Sequence, residues 1–138
     1  MNALRIALFA LALFVSGSVL ARPPVPMTEV VEQAIATTSG NALPIEQIQQ
    51  AIRTAAEGRK WVVSQQPDGV MVASLSWNAN KHTIVVSIAS TAERYTITYK
   101  DSINMRYGME DGKPVIHPHY NKFVGELRDA IRVEFMKY

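Results

Sequence analysis

The sequence predicts an α+β fold in two layers: a four-stranded antiparallel β-meander with two amphipathic helices packed on one face. Three observations carry the prediction. Apolar residues recur at three- and four-residue steps over Pro44 to Glu57 and again over Pro118 to Tyr138, the spacing of one helical face. Between these segments the period drops to two, and short turn-forming links separate the extended runs, as in a meander. A sheet with one apolar face needs a cover, and two amphipathic helices supply one.

Met1 to Arg5 carries one positive charge, Ile6 to Val15 is unbroken apolar sequence, and Ser16 to Ala21 is an exit of mostly small residues. These are the three parts of a secretory signal peptide, so cleavage is expected near Ala21 with a periplasmic or secreted product. The apolar run is about half of the ~20 residues that cross a bilayer, and no membrane span is expected. The 138 residues include no cysteine, so neither a thiol-linked lipid nor a disulfide is available and packing alone must hold the domain. Over 22–43, Arg22-Pro23-Pro24-Val25-Pro26 predicts an extended tether. Thr28 to Thr37 predicts a short peripheral helix with Val30, Val31, Ala34 and Ile35 on one stripe.

A single α+β domain is expected over 44–138. Its first helix buries Ile45, Ile48, Ala51, Ile52 and Ala55, with Gly58 as the left-handed stop. Strands follow at Trp61 to Val63, Val70 to Trp77, His82 to Ala89 and Arg94 to Lys100. Pro67-Asp68-Gly69, Asn78 to Lys81 and Ser90 to Glu93 supply the turns. Pro118 suits the first turn of the second helix. The expected core is Ile48, Ile52, Ile84, Val86, Ile88, Ile97, Phe123, Leu127 and Ile131.

Residues 22–138 hold 13 of the 14 basic residues and all 12 acidic ones. Such near-cancelling charge gives no ground for nucleic-acid binding. The scattered glycines form no phosphate-binding pattern. Asp101, Ser102 and His117 are the residue types of a nucleophilic triad, yet adjacent residues on a strand project to opposite sides and no glycine-flanked elbow surrounds Ser102. His117 and His119, with His82, suit zinc or copper, but no carboxylate or thiolate lies at ligand spacing, and capping the helix start is the competing role. No catalytic residue or cofactor is therefore expected.

Arg94, Lys100 and Arg106 share one strand parity with Thr96, Thr98, Ser102 and Asn104. They describe a cationic strip on an open sheet face, suited to an envelope protein, an anionic glycan or a lipid headgroup; a merely solvated face has the same pattern. Trp61 and Trp77 fit either an interface or the core. Asp101 falls among the apolar positions Tyr95, Ile97, Tyr99, Ile103, Met105 and Tyr107, where an unpaired carboxylate is too costly. Either a bulge over Lys100 to Ser102 turns it outward, or donors at the start of the second helix, among them His117, Tyr120 and Asn121, hold it as a structural latch, the arrangement expected here.

The landmarks Ala51-Ile52, Arg59-Lys60-Trp61, Gly69 to Ala73, Tyr95 to Asn104 and Ile116 to Asn121 resemble a group of small exported bacterial proteins and lipoproteins of unknown function, over about residues 44–135. The resemblance implies an envelope location and assigns no catalytic residue. Many of that group carry a lipidated cysteine after the signal, which this chain lacks. The expected function is a small exported, non-enzymatic binding or envelope-assembly module. Its candidate binding residues are Arg94, Lys100, Asp101, Ser102, Asn104, Arg106, His117, Tyr120 and Asn121. A metal-binding protein or hydrolase built on Asp101 to Asn121 is the alternative.

Overall fold

A computed structural model describes residues 22–138; the signal peptide expected over 1–21 lies outside the described residues. The chain is α+β, with all strand pairs antiparallel. Ten elements follow in order: β1 Val25–Pro26, β2 Val30–Ala34, α1 Ile45–Gly58, β3 Val62–Gln65, β4 Met71–Trp77, β5 His82–Ser90, β6 Arg94–Ile103, β7 Gly108–Glu110, β8 Lys113–Ile116 and α2 Pro118–Phe135. The larger sheet has the order β2-β6-β5-β4-β3, and a small one the order β1-β8-β7. The consecutive strands β3 to β6 are thus extended by a fifth, β2, where four were expected.

The residues expected to form a helix over 28–37 form β2 instead. Val30-Val31 and Ala34-Ile35 fit a helical stripe, but β6 offers an unpaired edge, and pairing there satisfies backbone groups that a short exposed helix would leave to water. Val30 is buried opposite Ile97. The proline-rich segment is bound as well. Pro26 accepts from Asn121 Nδ2 at 2.9 Å, and Thr28 N–H donates to Asn121 Oδ1 at 2.8 Å.

Inward side chains of the sheet and of both helices form one apolar cluster. Ile48, Ile52, Ile84, Val86, Ile88, Ile97, Leu127 and Ile131 are buried in it as expected, whereas Phe123 is only partly covered. The left-handed residue that closes helix α1 is Lys60, at φ 71°, and not Gly58. Lys60 N–H donates to the Glu57 carbonyl and Trp61 N–H to that of Ala56, both at 3.0 Å. This is Schellman closure, and the residue after the left-handed position, Trp61, is buried, as the apolar contact of that motif favours.

A register shift between Val85 and Val86 pairs them with Asp101 and Tyr99, leaving Lys100 as the extra residue of a bulge. A bulge reverses facing along the rest of the strand. Asp101 and Ile103 therefore face outward and are exposed, while Ser102 turns inward and bonds Tyr99 Oη at 2.9 Å. Asp101 accepts from the N–H of Ser102 at 2.8 Å. The latch from Asp101 to α2 does not form; Asn121, holding the Pro26–Thr28 segment, is the tie at that end of the helix.

Candidate functional site

Four chain segments meet at one end of the molecule: the close of β4, the start of β5, the turn after β6 and the first turns of α2. The turn Asn78 to Lys81 sets Trp77 opposite His82. Their rings stack with centroids 5.4 Å apart. Phe123, one turn beyond His119 on α2, lies 4.8 Å from the Trp77 ring and 5.8 Å from that of His119. His117 and His119 rings are 4.6 Å apart, and the Trp77 ring lies 6.2 Å from that of His119, so His82, distant in sequence, shares one neighbourhood with the other two.

His82 and His117 each have a hydrogen bond that fixes the ring. His82 Nδ1 lies 3.0 Å from the carbonyl of Asn104, whose side-chain amide donates to the Lys81 carbonyl at 2.7 Å. Asn104 and Arg106 both have positive φ, 56° and 53°, and the turn they make carries Met105 into the core. His117 caps α2: its Nδ1 accepts from the N–H of His119 at 3.1 Å, taking up one of the free donors of the first turn. Burial, then neighbouring His119, His82, Arg22 and Arg106, hold His117 below the ordinary histidine range. Burial, Arg22, Lys122 and His82 do the same to His119. Both effects favour neutral imidazoles.

Beside this cluster runs a groove of about 400 Å³, walled by Trp61, Leu75, Trp77 and Phe123 and bordered by Arg59, Lys60 and Glu126. The Schellman closure of α1 delivers Arg59 and Lys60 to its rim. Trp61 is core, at 3% exposure, and Trp77 is half-buried.

The nine expected binding residues do not form one site. Arg94 stands at the opposite end of β6, donating to the Glu32 carbonyl at 3.1 Å. Lys100 projects from the bulge, and Arg106 donates to the Arg22 carbonyl at 3.2 Å. The parity that defined a cationic strip is broken by the bulge and by the two left-handed residues. Tyr120 is buried with its ring edge against Tyr99, centroids 5.9 Å apart, and burial pushes its phenol up. Asn121 holds the Pro26–Thr28 segment. Asn104 and His117 alone of the nine enter the histidine cluster as side chains or backbone that fix a ring.

No protein-family model matches the chain, and no curated protein sequence matches it either. The types of a catalytic triad are present but separated in role, since the Ser102 hydroxyl bonds Tyr99, Asp101 bonds the backbone of Ser102, and His117 bonds the backbone of His119. Among the described residues, no group of three or more His, Cys, Asp or Glu is placed to hold a metal ion. No helix of the described residues is long and apolar enough to cross a membrane.

Sequence reasoning left out Arg59, Lys60 and Phe123 as site residues and placed His82 far from the other two histidines. One signal was available for His82: a four-residue link between alternating runs pairs the residues that flank it, which sets position 82 beside Trp77.

Proposed function

We propose that the protein is an exported, non-enzymatic binding or assembly module of the bacterial envelope, and that the groove beside Trp77 receives an acidic segment of an envelope protein. The supporting observation is the groove itself, an apolar wall with two cationic side chains, Arg59 and Lys60, on its rim. Buried aromatic walls anchor partner side chains, and charged rims select and steer the partner. Glu126 shares the rim, but Lys122, with Nζ 5.7 Å from the Phe123 ring centroid, adds a third cation. The groove is open along one side, which suits a side chain of a larger partner better than an enclosed small molecule. The envelope location rests on the signal-peptide pattern of residues 1–21 and on the resemblance of 44–135 to small exported proteins.

Site-specific photocrosslinking in the producing cells tests this reading. A photoreactive phenylalanine analogue replacing Lys60 is expected to give a discrete high-mass adduct that Arg59→Glu weakens at least tenfold, while the same analogue at Lys137 gives none. Adducts of equal yield from both positions, none from Lys60, or indifference to Arg59→Glu would overturn it.

A further inference from the structure

A second concavity lies at the other end of α2, between that helix and β2. Its volume is about 310 Å³, and Gln33, Ala34, Tyr95, Arg128, Arg132 and Phe135 line it. Tyr95 is 2% exposed and its hydroxyl makes no hydrogen bond. Buried phenols ordinarily find a partner, because an unmade bond leaves the cost of desolvation uncompensated. Tyr95 lines the concavity together with Arg128, Asp129 and Arg132, and burial pushes its pKa up to about 12. It therefore stays a donor at neutral pH.

The cations above it are unequally engaged. Arg128 Nε and Nη2 each lie 3.3 Å from Asp129 Oδ1. The ion pairs among the described residues are Arg53–Glu57, Arg128–Asp129 and Lys137–Glu134, which leaves Arg132 without one.

We propose that this pocket binds a small organic carboxylate, with its anionic group on Arg132 and the Tyr95 hydroxyl and its apolar body against Phe135 and Ala34. An arginine fork matches the planar carboxylate, and a phenol donor completes its lone pairs. At roughly 30 Å³ for a water-sized group, the space admits about ten such groups, enough for a ring or a branched chain besides the anion. Asp129 on the same rim weighs against doubly charged ligands such as phosphate, by like-charge repulsion. The hydroxyl is sealed from bulk water, so the incoming oxygen reaches it only by displacing the side chains that cover it, and affinity carries that cost.

Calorimetric titration of the purified protein with benzoate, isobutyrate and inorganic phosphate tests the proposal. Saturable binding of benzoate or isobutyrate is expected, tighter than phosphate and accompanied by a rise in Tm with ligand concentration. Arg132→Gln and Tyr95→Phe should each weaken it by about tenfold or more, and Arg59→Gln, in the groove, should leave it unchanged. Tyr95→Phe removes only a hydroxyl without a partner, so its own Tm should hold or rise, which separates ligand binding from folding. Failure of both carboxylates to saturate, tighter binding of phosphate, or wild-type affinity in Tyr95→Phe and Arg132→Gln would overturn it.

Discussion

Helix α2 meets the sheet differently at its two ends. At its N-terminal end it faces Trp77, His82 and Asn104, and three polar side chains there are matched: His82 with the Asn104 carbonyl, His117 with the His119 N–H, and Asn121 with Pro26 and Thr28. At its C-terminal end it faces β2 and the start of β6, where the Tyr95 phenol is buried without a partner. The contrast separates two kinds of polar cluster. Matched groups such as His82 and His117 already have a structural reason to be where they are, whereas an unmatched buried donor calls for an occupant. Chemistry-bearing residue types are thus poorer guides here than hydrogen-bond accounting.

Leu127, fully buried between the two ends, tests whether they share one cooperative core. Leu127→Ala should cost about 2–5 kcal/mol in urea unfolding, with both ends melting in one transition; separate transitions reported by Trp77 and Tyr95 would split the molecule and break the comparison. A smaller and one-sided effect is expected from Asn121→Ala, which removes two hydrogen bonds to the segment Pro26–Thr28. Stability should fall by about 1–2 kcal/mol, and amide exchange should quicken at Thr28 but not at Ile35. Equal quickening at both would show that the segment is held mainly by its strands.

The smallest effect concerns pH. His117 and His119 are held below the ordinary histidine value of 6.5, so the fold prefers their neutral forms. Their contribution is present above the unfolded value and is lost as pH falls through the lower folded values. Protonation of His117 also removes the lone pair that caps α2. Tm should therefore fall between pH 7.5 and 5, and His117→Asn, which keeps a capping oxygen without titrating in this range, should reduce that fall. An unchanged slope in His117→Asn would assign the pH dependence elsewhere.

Both helices and the strands β3 to β6 were legible because their apolar residues repeat at the period of the local backbone, as did Ile84, Val86 and Ile88 on one face and Leu127 and Ile131 on another. Segment 28–37 misled because pairs of apolar residues four apart satisfy a helix and a short strand alike. The β7–β8 hairpin carried a visible mark, Asp111-Gly112, both at positive φ, the dipeptide favoured in tight hairpin turns. Asp101 posed the right question from sequence, since its parity demanded either a bulge or a partner. The bulge was the answer, and Asn121 became the tie.

Periodicity, turn chemistry and charge balance are properties of neighbouring residues, and they settle the α+β class, the two amphipathic helices and most of the core before any folding is considered. Packing settles the rest. One extra residue at Lys100 reverses the facing of Asp101 and Ser102, and a free edge of β6 turns an ambiguous segment into β2. A hairpin and a helix start bring His82 to His117 and His119, and the cover of α2 over Tyr95 leaves a phenol without a partner. Each depends on residues tens of positions apart meeting in space, where burial and hydrogen-bond competition, and not local preference, choose the outcome.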